Sequence, residues 1–132
     1  VDGWREHRAG GGVLFDIKND DVVLGGLSMP HSPRVYRGKV WLLDSGTGYF
    51  GYADESGRFE RVAFCPGFLR GLAFIGNYAV VGMSQGRHNK TFSGLPLDDH
   101  LAERKTEGRC GIQIIDRSEE RYSPRHSPRR DC

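Results

Sequence analysis

The sequence lacks the features on which several protein classes depend. Its three cysteines, Cys65, Cys110 and Cys132, are far apart and form no C-x-x-C pair, so nothing supports a zinc ribbon or a thioredoxin-type site. The longest apolar stretch, residues 71–83, is too short and too interrupted to span a bilayer, and no signal peptide is visible. The cysteines are interpreted as free thiols, and no leader is visible. We therefore predict a cytoplasmic protein with no membrane contact.

Concentrated positive charge is also missing. The chain has 19 Lys and Arg against 17 Asp and Glu, a formal net charge of +2. Five of these cationic residues and three of the acidic ones follow residue 116, so the rest of the chain is neutral. A nucleic-acid groove requires a basic patch, and we therefore do not expect nucleic acid as a partner.

Glycine and aromatic residues are abundant instead. There are 19 glycines and 11% aromatic residues in 132 positions, one domain's length at most. Short apolar runs recur along the whole chain, and Gly, Pro, Asn, Asp or Ser bounds each of them. This pattern is typical of many short strands joined by tight turns, so it predicts an all-β fold.

The strand-like segments recur with a period near forty residues. "VYRGKVWLLDS" (35–45) aligns with "AFIGNYAVVGMS" (73–84), with Gly38 and Gly76 as the matching turn glycines. One complete unit of four strands covers residues 33–38, 39–45, 48–54 and 58–64. Such a period predicts β-propeller blades. We expect an incomplete β-propeller of about two four-stranded antiparallel blades, with a small sandwich or open meander as the competing interpretation.

A polar segment of about two dozen residues, 85–108, separates two strands of the second unit. Leu97 and Leu101 stand four apart, Asp98 and Asp99 lie in the first turn and Gly108 comes beyond the end, so we predict a short helix over residues 97–105. A loop of this length inside a compact sheet protein is usually functional or disordered. The helix would act as a lid, or would merely cover one end of the propeller.

Long phrases of the chain carry a family resemblance. "MPHSPRVYRGKVWLLDSGTG", "FCPGFLRGLAFIGNYAVVGMSQ" and "KTFSGLPLDDHLAERKTEGRCGIQIID" are similar to an uncharacterised family of bacterial proteins, a domain of unknown function whose members are often labelled conserved hypothetical or tetratricopeptide-repeat proteins. The resemblance covers roughly residues 11–116. It implies a six- or seven-bladed propeller in a longer protein, and it implies no activity, substrate or cofactor.

The last sixteen residues depart from that resemblance. "RSEERYSPRHSPRRDC" has no apolar alternation and is rich in Arg, Ser and Pro, which predicts disorder. We therefore divide the chain into a propeller fragment, residues 1–116, and a disordered tail, residues 117–132. The abrupt change suggests a truncated or frameshifted gene product.

Two short segments carry the candidate binding residues. Pro30 and Pro33 stiffen a loop in which His31 and Arg34 would point at the central opening, and Arg70 holds the matching place before the next inner strand. The first half of the insertion adds further polar groups. We predict a site for a small anionic or sugar-like ligand, unless the two arginines instead bind carbonyls between blades; its residues are His31, Arg34, Arg70, Arg87, His88, Asn89 and Lys90.

No catalytic set stands out. "DSGTG" (44–48) resembles one half of an aspartic-protease centre, but a second copy is missing, so Asp44 and Ser45 are interpreted as turn formers that bond nearby backbone N–H groups. His88, Asp98, Asp99 and His100 have no recognisable metal-ligand spacing, and we predict neither metal nor cofactor.

Three functions remain open on the sequence. The first is a ligand-binding or scaffolding module without enzymatic activity. The second is a sugar- or lactone-handling propeller enzyme, with an acid residue or a divalent metal at the central opening. The third is self-association through the open edges of an incomplete sheet ring.

Overall fold

The computed structural model describes residues 6–85, 94–118 and 124–126. Within them lie one helix and ten strands. The helix is α1 (Pro96–Glu103), and the strands are β1 (Gly12–Asp16), β2 (Asp21–Leu27), β3 (Pro30–Tyr36), β4 (Lys39–Asp44), β5 (Tyr49–Ala53), β6 (Phe59–Phe64), β7 (Phe68–Ile75), β8 (Tyr78–Ser84), β9 (Gly111–Asp116) and β10 (Pro124–His126).

The strands form three antiparallel sheets in sequence order. β1 and β2 make a hairpin, β3 to β6 make a four-stranded sheet that we call the first blade, and β7 to β10 make the second blade. The fold is therefore the expected all-β, incomplete β-propeller of about two four-stranded blades with one short helix. The second blade gains a fourth strand, β10, which pairs with β9.

Tight turns explain why neighbouring strands pair as they do. In the turn between β3 and β4, both Arg37 (φ 49°) and Gly38 (φ 77°) are left-handed, as a two-residue type I′ hairpin requires. In the matching turn between β7 and β8, Gly76 (φ 56°) is the first central residue. Matching register positions of the two blades thus lie 39 residues apart, one more than the separation between Gly38 and Gly76 that the sequence alignment gives.

The alternating direction of the strands gives the molecule two ends. The helix-side end carries the Ser45–Gly48 turn, the short connections between sheets, and α1, whose Leu97 N–H donates to the Gly46 carbonyl at 2.8 Å. The hairpin end carries the two-residue turns. There the blades meet as well, since the Tyr36 hydroxyl donates to the Gly76 carbonyl at 2.7 Å.

The main core fills the space between the two blades. Trp41, which is 2% exposed, stacks on Phe50 with ring centroids 5.1 Å apart, and Phe74 of the second blade packs against both rings. Tyr36 stacks on Phe74 at 4.4 Å. Aromatic rings of this size bury a large area and dominate a core, so one apolar cluster joins the two blades.

Residues 117, 118 and 124–126 are the part of the predicted tail that the structure describes. The Arg117 N–H donates to the Asn77 carbonyl at 2.8 Å, and its guanidinium lies about equally far from three aromatic rings, 4.9 Å from Trp41 and Tyr36 and 5.0 Å from Phe74. Residues 124–126 form β10. The arginine-rich composition did not predict these contacts, because composition alone does not tell whether a guanidinium packs on aromatic rings or faces solvent.

The remaining expectations on elements and cysteines have mixed outcomes. The helix predicted over residues 97–105 exists as Pro96–Glu103. Cys65 is a buried free thiol, whereas Cys110 is disulfide-bonded, so the free-thiol interpretation holds for Cys65 only. In the described part of the chain, α1 is far too short and polar to cross a bilayer, and no other helix meets that requirement.

Candidate functional site

His31 lies on β3 at the helix-side end, where it pairs with Leu43. Its ring meets the Phe68 ring edge-on, with centroids 5.8 Å apart. Partial burial lowers the pKa of His31, and the nearby Arg70 guanidinium lowers it further. The imidazole is therefore neutral at pH 7, and its Nε2 is buried without a hydrogen-bond partner among the described residues.

Bulges in the two innermost strands hold this region in place. The pairing of β3 with β4 slips by one residue between His31 and Arg34, and that of β7 with β8 slips between Leu69 and Leu72. Ser32 (φ 57°) and Gly71 (φ 82°), 39 residues apart, are the left-handed residues of the two bulges. The Gly71 N–H donates to the Ser32 hydroxyl at 3.3 Å. Since a bulge redirects side chains, these two set the directions of His31 and Arg70.

The other predicted site residues divide into two groups. Arg34 is exposed and donates from Nη1 to the carbonyl of its own neighbour Pro33 at 2.9 Å, and no hydrogen bond or ring contact joins it to His31 or Arg70 in the described structure. Arg87, His88, Asn89 and Lys90 lie outside the described residues. The structure thus brings His31 and Arg70 together, and the complete seven-residue site stays a prediction.

Sequence reasoning missed the role of the Asp44 carboxylate. This side chain is 4% exposed and accepts hydrogen bonds from the Ser28 N–H at 2.6 Å and the Thr47 hydroxyl at 2.9 Å. Burial raises the pKa of Asp44, and the two hydrogen bonds oppose that rise. Ser28 belongs to the connection between β2 and β3, so the carboxylate fastens the hairpin to the first blade.

The Ser45 hydroxyl makes the corresponding link in the other direction. It is fully buried and donates to the Leu69 carbonyl of the second blade at 2.5 Å. Asp44 and Ser45 do stand at a turn, but their side chains also reach neighbouring sheets instead of only nearby backbone. A D-S-G-T-G phrase carries no signal for these long-range partners, because its residue types are those of any tight turn.

The same turn holds α1 in place. The Gly46 carbonyl accepts from the Leu97 N–H at 2.8 Å, and the Thr47 carbonyl lies 2.7 Å from His100 Nδ1. Because a carbonyl only accepts, His100 Nδ1 carries the proton in this contact. The Ser45–Gly48 turn therefore joins the hairpin, both blades and the helix at one point, and gives the helix-side end a rigid base.

The part of the chain that is described contains no cluster of side chains that could hold a metal ion. Across residues 6–85, 94–118 and 124–126, no three His, Cys, Asp or Glu side chains converge as metal ligands do. Asp98 turns its Oδ2 to the Gly94 N–H at 3.1 Å, and His100 is engaged with Thr47. The expectation of no metal or cofactor and the enzymatic alternative both stay untested predictions.

Fold and site together define a propeller-type β protein with a polar patch on its inner strands and a helix fastened over one end. The chain belongs to the family described as Domain of unknown function (DUF4915), whose model matches residues 1–124. This match confirms the resemblance drawn from the quoted phrases and extends eight residues beyond the boundary predicted at residue 116. No curated protein and no solved structure matches the chain.

Proposed function

We propose that the chain is a ligand-binding or scaffolding module built from successive propeller repeats, in a cytoplasmic bacterial protein, and that it is not an enzyme. Its binding surface is the helix-side end around His31, Arg34 and Arg70, together with residues 87–90. The ligand is a small anionic or sugar-like molecule. We also propose that the propeller unit comprises residues 1–116, with Arg117 and β10 as additional packing elements at the start of the tail.

The proposal depends on the pairing of His31 with Arg70. The Arg70 guanidinium is exposed, and no described carboxylate forms an ion pair with it. Its neighbour, the neutral His31 imidazole, is a hydrogen-bonding group without added charge. A guanidinium fork beside such a ring suits a carboxylate or phosphate group carried on a polar molecule.

The surrounding structure favours binding over catalysis. Two bulges and the Ser45–Gly48 turn fix the backbone under the site, and a rigid base reduces the entropy lost when a ligand binds. His31 has no described acid or nucleophile as a hydrogen-bond partner, and such a partner is what acid–base or nucleophilic catalysis requires. The arrangement therefore supports recognition of a ligand.

An NMR titration tests this function. Backbone amide resonances would be followed while citrate, glucose or glucose 6-phosphate is added to the ¹⁵N-labelled chain. We expect the anions to shift the amide resonances of residues 31, 32, 34 and 68–71, and Arg70→Ala to weaken binding roughly tenfold, the value of one charge-assisted hydrogen-bond pair. Arg58→Ala is the control, because it removes an exposed arginine at the hairpin end. Equal affinities in the two variants would contradict the proposal.

Exposed apolar side chains favour a second candidate function, self-association through the open sheet edges. Val13, Phe15 and Val22 of the two-stranded hairpin are 55%, 46% and 52% exposed. A sheet edge bordered by apolar side chains is a template for pairing with a second copy of this chain.

Light scattering coupled to size-exclusion chromatography tests the second candidate. We expect a mass that rises with concentration for the unmodified chain, and a monomer for the Phe15→Glu and Val22→Glu variants. Tyr78→Glu is the control, since Tyr78 is exposed on β8, which has a neighbouring strand on both sides. A clean monomer of the unmodified chain at high concentration would rule out self-association.

A further inference from the structure

A second group of cationic side chains surrounds Tyr49 on the outer strands of the first blade, apart from His31 and Arg70. The Arg61 Cζ lies 4.3 Å from the centroid of the Tyr49 ring. Arg104, just after α1, donates from Nη2 to the Tyr49 hydroxyl at 2.8 Å, and its Cζ is 4.1 Å from the Phe64 centroid. The aromatic rings thus hold two exposed guanidiniums beside one phenol.

These guanidiniums keep most of their donors free. No carboxylate in the described residues forms an ion pair with Arg61 or Arg104. Arg61 interacts electrostatically with the carboxyl group of Asp44, which is buried and already accepts two hydrogen bonds. Two cations without a neutralising partner leave a local excess of positive charge, which attracts anions.

Two further groups complete the donor set. The Tyr49 oxygen accepts from Arg104, so the hydroxyl proton remains available to a ligand. The His100 ring meets Tyr49 edge-on at 5.5 Å, and its Nδ1 is fixed on the Thr47 carbonyl, so Nε2 is the ring nitrogen that remains for a ligand. Arginine forks and a phenol hydroxyl match the oxygens of a tetrahedral oxyanion.

We propose that Arg61, Tyr49 and Arg104, with His100 at their edge, form a binding site for one phosphate group. The group is either inorganic phosphate or a phosphate monoester on a larger molecule, since both present the same oxygens. The site uses side chains from two sheet strands and from the end of α1, so occupation also ties the helix more firmly to the first blade.

Titration with inorganic phosphate and with phenyl phosphate tests the site. The Nε–Hε resonances of Arg61 and Arg104 report binding directly, and the Nε–Hε resonance of Arg58 at the hairpin end is the internal control. We expect the first two to shift in a saturable manner and Arg58 not to shift. Tighter binding of phenyl phosphate would identify a monoester as the ligand, and equal affinities would identify the free ion.

Variants separate this site from general charge effects and from the proposed function. Arg61→Ala and Arg104→Lys should each weaken phosphate binding at least fivefold, the second because an ammonium keeps the charge but lacks the fork. Arg58→Ala should leave the affinity measured at the Arg61 and Arg104 resonances unchanged. Equal shifts at all three arginines, or unchanged affinity in Arg61→Ala and Arg104→Lys, would overturn the inference. Loss of binding in Arg70→Ala would instead assign the phosphate to the inner-strand site.

Discussion

At the scale of single residues, Gln113 is out of keeping with its surroundings. Its side chain is fully buried on β9, opposite Val81 in the strand register, and among the residues that the structure describes neither its amide nitrogen nor its amide oxygen has a hydrogen-bond partner. An unpaired buried amide costs free energy on folding, because the unfolded chain would bond it to water.

We therefore predict that Gln113→Leu raises the free energy of unfolding by about 1–2 kcal/mol. Leucine is of similar size and carries no polar atom that must be left unpaired. Urea denaturation measures the change as a higher midpoint with an unchanged slope. Gln85→Leu is the matched control, since Gln85 is exposed and should respond by less than about 0.5 kcal/mol. A lower midpoint in Gln113→Leu would show that the amide has a partner in solution.

Asp44 supplies a pH-dependent prediction at the same scale. Because burial raises its pKa in the folded chain above the ordinary 3.8, the folded state binds a proton more readily than the unfolded state. The carboxyl therefore favours folding most below pH 3.8, and this contribution decreases as the pH rises toward the folded-state pKa. Asp44→Asn keeps an acceptor for the Ser28 N–H and does not titrate.

Urea unfolding of both proteins between pH 3.5 and 7 checks this. We expect the stability of the unmodified chain relative to Asp44→Asn to fall over that range. Asp44→Ala should lower the free energy of unfolding by about 1–3 kcal/mol at every pH, since the buried Ser28 N–H is then unpaired. Parallel pH curves for the unmodified chain and Asp44→Asn would contradict a raised pKa.

At the scale of elements, the attachment of α1 depends on a close approach at Gly48. The residue is left-handed (φ 83°), and a Cβ at this position would lie 2.8 Å from Leu97 Cδ1 and 2.8 Å from Phe64 Cε1. Gly57 has nearly the same conformation (φ 81°), but a Cβ there would meet only the Val23 carbonyl at 3.5 Å. An alanine at either position would therefore have the same strained backbone, but only the alanine at position 48 would collide with Leu97 of the helix.

We predict that Gly57→Ala costs about 1 kcal/mol of unfolding free energy, and that Gly48→Ala costs at least about 1 kcal/mol more. The first value reflects backbone strain, and the excess reflects displacement of Leu97 and Phe64. Thermal or urea unfolding of the two variants gives both numbers. Equal losses would show that α1 is not packed on this turn.

Comparison of elements also shows where sequence reasoning succeeds and where it ends. The strands and hairpin turns were predictable, because period-two alternation and glycine turns are local signals. The Asp44–Ser28 and Ser45–Leu69 hydrogen bonds were not, since they join residues distant in sequence. Proximity of His31 and Arg70 followed from the repeated unit, whereas the contacts of Arg104 with Tyr49 required the position of α1.

At the scale of the whole molecule, the shared core makes the two blades one cooperative unit. Trp41 and Phe50 of the first blade belong to the same buried apolar cluster as Leu72 and Val81 of the second. Neither four-stranded sheet buries that face alone, and a sheet must cover its apolar face with another element to form a stable domain. We therefore expect both blades to unfold in one transition.

Cys65 reports on that transition, because it lies in the connection between the blades. The thiol is fully buried, and burial raises its pKa to about 12, so the reactive thiolate is scarce in the folded state. We predict that a thiol reagent modifies Cys65 only when the chain unfolds as a whole. Labelling followed by peptide mass spectrometry, at increasing urea, gives the free energy of the opening reaction at this cysteine.

The expected free energy equals the value from global unfolding, and its dependence on urea has the same slope. A smaller free energy with a shallow slope would mean that the blades separate locally while each remains folded. In that case the His31–Arg70 pair, which spans the two blades, would be dismantled well before the protein unfolds. If the two free energies agree, the proposed binding site exists only while the inter-blade core is intact, because the contacts that join the two blades also hold His31 beside Arg70.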